Sequence, residues 1–282
     1  MKKSIFISLF IFLTTGLSLP SALGQQLFFG IDAGYDLKIN SPYFSSLHNG
    51  NVDQDGTIST YENVCFSLGQ GLQTGISAGY MFNKNMGVEL SIAFQKGTPV
   101  KMHKYLSDSA GTSFSNMDYT ISAQSIRIAP ALIMQARPDA TFSPFIKTGL
   151  ILSKASMVEI HEGDGTSGYF EKCQWDYTKG LNLGILSSIG ALYKLSDKLT
   201  LVGEIKIQWL NYAPGKKVMS EFTIDGVDQL PGMTTSEIET EFVNPYSYDP
   251  HVAQPVTEPM KSLKEPFALN SYGFHIGLRF NL

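Results

Sequence analysis

The chain has 282 residues, with 26 glycines, 18 phenylalanines and 13 tyrosines, only 16% charged residues and a formal net charge of −4. Loss of Lys2 and Lys3 with a leader would make that −6, which argues against a nucleic-acid partner held through its phosphates. No stretch after the N-terminus approaches the ~20 continuous apolar residues of a spanning helix, so a membrane-embedded form must be a closed barrel, which leaves no strand edge unsatisfied in lipid.

The N-terminus reads as a secretory signal peptide over residues 1–24. Lys2 and Lys3 supply the positive region, residues 5–17 are mostly apolar, and Ala22-Leu23-Gly24 places small residues at −3 and −1 of a cut before Gln25. No cysteine follows the apolar stretch, which disfavours a lipid anchor. The mature chain, 25–282, is expected to be one domain.

Eight segments then alternate with a period of two, the spacing at which successive side chains of a strand point to opposite faces. The first, residues 27–37, puts Leu27, Phe29, Ile31, Ala33, Tyr35 and Leu37 on one face and Gly30, Asp32, Gly34 and Asp36 on the other. The second, 71–82, opposes Leu72, Ile76, Ala78 and Tyr80 to Gln73, Gly75, Ser77 and Gly79. Asn83-Lys84-Asn85 turns the chain into a third strand beginning at Gly87, with Val88, Leu90, Ile92 and Phe94 opposite Glu89, Ser91 and Gln95. The fourth, 122–135, carries Ile126, Ile128, Leu132 and Met134 against Arg127; Pro130 cannot donate to a ladder, so a bulge is expected there.

Arg137-Pro138-Asp139 leads to the fifth strand, 142–153, with Ile146, Leu150 and Leu152 opposite Lys147 and Gly149. The sixth, 180–195, opposes Leu181, Leu183, Ile185, Ile189 and Tyr193 to Asn182, Gly184, Ser188 and Gly190. Ser196-Asp197-Lys198 turns into the seventh, 199–210, with Leu201, Ile205, Ile207 and Trp209 opposite Thr200, Glu204, Lys206 and Gln208. The eighth, 271–282, alternates without a fault: Tyr272, Phe274, Ile276, Leu278, Phe280 and Leu282 against Ser271, Gly273, His275, Gly277, Arg279 and Asn281.

The connections alternate too. Those after the second, fourth and sixth strands are tight turns, while 38–70, 96–121, 154–179 and 211–268 are long. Short periplasmic turns and long external loops mark an outer-membrane barrel. The expected fold is therefore all-β: an eight-stranded antiparallel up-and-down transmembrane β-barrel with four long external loops and both ends in the periplasm. Tyr80, Tyr193 and Phe280 would form one aromatic girdle, and Tyr35, Phe94, Trp209 and Tyr272 the other. A soluble barrel such as a lipocalin inverts the pattern, keeping its apolar side inside.

The segments Phe29-Gly30-Ile31-Asp32-Ala33-Gly34-Tyr35, Ser125-Ile126-Arg127-Ile128-Ala129-Pro130, Ala78-Gly79-Tyr80 and Gly273-Phe274-His275-Ile276-Gly277-Leu278-Arg279-Phe280 carry a resemblance. They resemble the small OmpA-like outer-membrane β-barrel family, in its Bacteroidetes version. The likeness spans nearly the whole mature chain, although the family's terminal signal usually ends in an aromatic and this chain ends in Leu282. It implies insertion by the barrel-assembly machinery and residence in outer-membrane lipid. OmpA itself carries a peptidoglycan-binding domain after its barrel, and none is expected to follow this one.

Inside such a barrel, Asp32, Asp36, Glu89 and Glu204 would face Arg127, Lys147, Lys206 and Arg279, and pairing of the four acids with the four bases is expected because isolated charges there are costly. A narrow ion path is the alternative. No enzyme is expected: His275 is the only histidine within a predicted strand and faces the lumen, while His48, His103, His161 and His251 fall in loops without metal-ligand spacing.

The first long loop contains Asn51-Val52-Asp53-Gln54-Asp55-Gly56-Thr57-Ile58-Ser59-Thr60-Tyr61-Glu62, which fits a twelve-residue EF-hand calcium loop. Asn51, Asp53, Asp55, Thr57, Ser59 and Glu62 would be its ligands, with Asn51 removing one charge from the usual set. The flanks do not read as helices, so calcium would stabilise the loop rather than act as a signal. No other cofactor is expected. Cys65 and Cys173 lie in two different long connections of an exported chain, where a bridge or two free thiols are equally open readings. The loop over 211–267 is long and acidic; 218–224 followed by Asp225-Gly226 reads as a hairpin and the remainder as irregular. The expected role of this monomeric barrel is structural or surface-binding, carried by the external loops, with a narrow channel as runner-up and a barrel enzyme third.

Overall fold

The computed structural model describes residues 26–39, 48–52, 59–63, 66–107, 114–165, 168–247 and 255–282; the expected signal peptide lies outside them. In chain order the strands are β1 (Gln26–Lys38), β2 (His48–Val52), β3 (Ser59–Asn63), β4 (Gly71–Met81), β5 (Met86–Gly97), β6 (Val100–Ser107), β7 (Phe114–Gln135), β8 (Phe142–Asp164) and β9 (Phe170–Thr178). They continue as β10 (Leu181–Lys194), β11 (Leu199–Tyr212), β12 (Lys216–Ile224), β13 (Val227–Asp228), β14 (Glu239–Val243), β15 (Met260–Leu263), β16 (Phe267–Ala268) and β17 (Ser271–Asn281). Among the described residues one short α-helix, α1 (Thr235–Ile238), starts at a capping box in which the Glu237 carboxylate accepts the Thr234 backbone N–H.

Eight strands close into a ring, each antiparallel to its neighbours: β1, β4, β5, β7, β8, β10, β11, β17 and back to β1. These are the eight strands read from the alternation. Following paired residues around the ring leads from Phe28 through Gly79, Glu89, Ala131, Gly149, Leu186, Gln208 and Ser271 to Lys38, ten residues further along β1. With ~4.7 Å between strands and ~3.3 Å per residue, that offset tilts the strands by about 40°. Side chains then fill the interior.

The two faces fall as the alternation predicts. Leu72, Leu183, Ile189, Phe274 and Ile276 are exposed on the outside, while Glu89, Arg127, Lys147, Glu204 and Lys206 are buried within. A wall that keeps its aliphatic residues out and its charges in needs an apolar solvent. The outward aromatics gather at its edges: Tyr35, Phe94, Trp209 and Tyr272 toward the long connections, Tyr193 and Phe280 toward the turns, where Phe29, Phe82 and Phe142 join them. Tyr80 meets Phe82 edge-on at 5.7 Å between ring centroids.

The bulge expected at Pro130 is absent. The ladder to β8 lapses at Ala129 and Pro130, yet Ile128 pairs with Leu152 and Ala131 with Gly149 in one register. Pairing to β5 continues through Leu90 and Pro130. The missing proline N–H removes a rung without inserting a residue, and Gly149, where a Cβ would strike the Pro130 carbonyl, lets the strands stay close.

Beyond the apolar belt, stretches expected as loops are walls. β7 and β8 run on for 22 and 23 residues in all. β6 pairs with β7, β9 with β8, β12 with β9, β14 with β12, and β15 lies parallel to β14. Asp225 and Gly226, with φ of 48° and 78°, join β12 to β13 as the two-residue hairpin expected there. The remainder of 211–267, expected to be irregular, contributes α1, β14, β15 and β16.

The sidedness of the pattern inverts where the belt ends. Along upper β7 and β8 the inward residues become apolar (Ile121, Ala123, Ala155 and Met157, all buried) and polar residues such as Gln124 and Lys154 are exposed. This head is thus built as a water-facing sheet on a lipid-facing one.

Candidate functional site

The lumen is layered. At the turn end, Phe28, Met81, Ile133, Phe145 and Leu192 pack together with Val202. Phe28 fits because Gly79 lies opposite; a Cβ there would collide with the ring. Above them lies a charged layer. The Lys147 ammonium is 3.0 Å from Glu89 and 2.9 Å from Glu204, which also accepts from the Ser188 hydroxyl at 2.9 Å. Lys206 donates to Asp32 at 2.6 Å and lies 3.3 Å from Glu204. His275 bridges onward, with Nδ1 3.3 Å from Asp32 and Nε2 3.0 Å from Asp36; Gly34 leaves the room its ring occupies.

A third layer is made of amides. Arg127, 2% exposed, donates to Gln208 at 2.7 Å and to Gln95, and its Nε donates to Ser125. Both glutamines donate to Asp36, at 3.4 and 3.3 Å, and Gln208 also to Gln73 at 2.9 Å. At the loop end an apolar layer closes the column: Leu68, Ile151, Leu186, Leu210, Tyr212 and Leu269 are buried in one cluster. Gln95 donates to the Gly69 carbonyl and the Ser67 hydroxyl to those of Ala268 and Asn270, so segment 66–70 is tied across this end.

All eight expected lumen charges thus face inward, but the pairing differs from four acids matched to four bases. Arg127 reaches Asp36 through two glutamines, because its register places amides beside it. Arg279 comes only within 3.8 Å of Glu89. The amide relay and the His275 bridge were not read from the sequence; the signal was present in the inward positions of Gln73, Gln95 and Gln208, but needed the register to bring them to one height.

In the head, the inward side chains of β8, β9 and β12 form a second polar cluster. Glu159 interacts with His161 at 2.8 Å and accepts from the Tyr177 hydroxyl, while the Lys217 ammonium sits 4.0 Å from the Trp175 ring centroid. Tyr177 stacks on Phe242 at 6.1 Å. Burial raises the Glu159 pKa, but the hydrogen bonds from His161 and Tyr177 outweigh it and leave the carboxyl below its usual range. Burial holds the Lys217 ammonium below the usual lysine value and pushes the Cys173 thiol up to about 11, so that thiol stays protonated and unreactive at neutral pH.

The other expectations land as follows. His103 and His161 stand on β6 and β8 rather than in loops, since those connections are strands; His103 lies 2.7 Å from Asp118. His48 is on β2, and His251 lies outside the described residues. Within the expected calcium loop, β2 and β3 pair as a hairpin, with Asn51 opposite Thr60, Val52 opposite Ser59 and Asn49 opposite Glu62. Asp53, Asp55 and Thr57 lie outside the described residues. Cys173 is a free, half-buried thiol on β9, and Cys65 lies outside the described residues.

A closed ring with an apolar exterior, a filled polar lumen and a strand-built head defines an outer-membrane β-barrel protein. The family model described as "Outer membrane protein beta-barrel domain" matches residues 9–228, and the chain belongs to that family and to the bacterial outer membrane. No curated protein matches the sequence. Among solved structures it is similar to Neisserial surface protein A, at 13% identity and a TM-score of 0.37, covering 92% of this chain and 99% of that one. It is also similar to OprG from Pseudomonas aeruginosa (13%, TM-score 0.40, 92% and 96%) and to a major outer membrane protein from Thermus thermophilus (12%, 0.39, 91% and 99%).

Proposed function

We propose that the barrel is a monomeric anchor, inserted by the barrel-assembly machinery, which presents the head to the cell exterior as a binding or adhesive surface, with the turns and both chain ends in the periplasm. One observation carries this reading. The lumen is crossed by two apolar layers around a hydrogen-bonded charged column, while β7 and β8 continue beyond the belt to support additional strands. Permeation has little space to use; an outside partner has a folded surface to meet. A catalytic role finds no support at His275, whose side chain is fully buried between two carboxylates.

Two measurements test the proposal. Refolded protein added to a planar bilayer gives no discrete current steps over many insertions; steady single-channel steps would overturn it in favour of a narrow channel. Cells displaying the intact chain are captured on arrays of extracellular proteins and glycans. Cells whose residues 214–265 are replaced by a short Gly-Ser linker, with unchanged heat-modifiable gel migration, are not. Equal capture of both would remove the part of the head built from β12 to β15 as the binding element.

Calcium at residues 51–62 is a separate proposal, resting on the residue types alone. Titration calorimetry is expected to show a calcium-specific heat that Asp55→Ala abolishes. Identical traces for the two proteins would sink it.

A further inference from the structure

Arg279 stands apart among the lumen bases. Lys147 and Lys206 each have a carboxylate within 3.0 Å, and Arg127 is hydrogen-bonded to two glutamines. Arg279 is only 6% exposed, yet its nearest acid, Glu89, is 3.8 Å away, beyond hydrogen-bond distance. Its guanidinium lies close over Phe28, with 3.8 Å between its central carbon and the ring centroid. A guanidinium carries five N–H donors in a planar fork, and a buried charge without hydrogen-bonded partners is costly.

This side chain lines a cavity of about 150 Å³ at the turn end of the ring. Phe28, Met81 and Leu192 of the lowest apolar layer also line it, alongside Thr200 and Asn281. Lys194 and Asp197, paired at 2.9 Å, stand among its lining residues and are themselves exposed. On its other side Arg279 lines a second cavity, of about 20 Å³, shared with Glu89, Lys147 and Glu204, which has room for a single water. The guanidinium therefore sits between the sealed charged layer and a cup wide enough for a small molecule.

We propose that this cup is a binding site for a small anionic oxygen group, a carboxylate or a phosphate, anchored by Arg279. A carboxylate or phosphate accepts two parallel N–H bonds from the fork and supplies the charge that Glu89 is too distant to neutralise through hydrogen bonds. Thr200 and Asn281 add polar groups to the wall, and the Phe28 ring supports the guanidinium from one side. The group can arrive as a free ion or as the headgroup of a phospholipid from the adjacent leaflet; the chemistry at Arg279 is the same.

The test uses the full chain refolded in a neutral detergent and titrated with inorganic phosphate and with acetate, reading the side-chain Nε–Hε resonance of Arg279 by NMR and the heat by calorimetry. In parallel, the chain is placed in nanodiscs with and without phosphatidylglycerol. Saturable binding is expected in at least one arm. A response to the free ions assigns the site to a soluble anion, and a response to phosphatidylglycerol alone assigns it to a headgroup. Arg279→Gln is expected to weaken binding by about tenfold or more, the size of a lost charge-assisted hydrogen bond. Glu89→Gln keeps the fork and removes the competing charge, so it is expected to tighten binding; this second variant decides the matter if Arg279→Gln does not fold. No saturable response in either arm overturns the site, as does a folded Arg279→Gln that binds like the parent or a Glu89→Gln that binds no better.

Discussion

Lys147→Met destabilises the barrel by about 3–5 kcal/mol, the usual cost of leaving buried charge without its partner. Lys147 holds two carboxylates, Glu89 and Glu204, whose side chains are 8% and 3% exposed. Methionine matches much of the lysine stem in volume, so the loss is electrostatic rather than a packing defect. Glu204 keeps a contact to Lys206, but Glu89 is left with Arg279 at 3.8 Å. Adding Glu89→Gln to Lys147→Met removes one of the stranded charges, and the double variant is expected to be more stable than the single. Urea unfolding in lipid vesicles, followed by heat-modifiable gel migration, measures both. Costs of Lys147→Met and Glu89→Gln that simply add would show that these two residues are not coupled.

The second large effect lies on the outer wall. Ile276 is 62% exposed and sits on β17 midway between Tyr272 and Phe280, members of the two aromatic girdles. Ile276→Arg is expected to cost about 2–4 kcal/mol, the penalty for arginine near the bilayer midplane, whereas Leu282→Arg, beyond the girdle, costs about 0–1 kcal/mol. Folding equilibria in vesicles distinguish the two. Equal costs at both positions would contradict a lipid-facing wall with its centre near Ile276.

What the sequence made legible follows from the solvent on each side of the sheet. Within the belt, lipid outside and charge inside impose alternation at every residue, so Leu27 to Tyr35 or Tyr272 to Phe280 can be assigned to a face by inspection. Above the belt the outside is water and the inside is an apolar core. The sequence still alternates there, with the opposite sidedness at Lys154, Ala155 and Met157 and then with polar Glu159 and His161 facing inward, so the contrast is weak and it reads as loop. Pro130 misled for a different reason: a missing donor looks the same in sequence whether the strand inserts a residue or forgoes a rung. The lumen charges were legible as a set because parity alone turns them inward. Their partners were not, since Arg127 meets Gln95 and Gln208 only through the ten-residue offset of the ring, a property of all eight strands together.

That ring is completed by β1 and β17, paired from Phe28 with Asn281 to Lys38 with Ser271. Across this seam, His275 reaches an aspartate 239 positions earlier in the chain. Contacts of such separation are slow to find, and until they form, both strands present bare amides that lipid cannot satisfy. The earliest strand to be synthesised is therefore among the last to gain its second neighbour, and passage into the bilayer and zipping of the seam have to proceed as a single event.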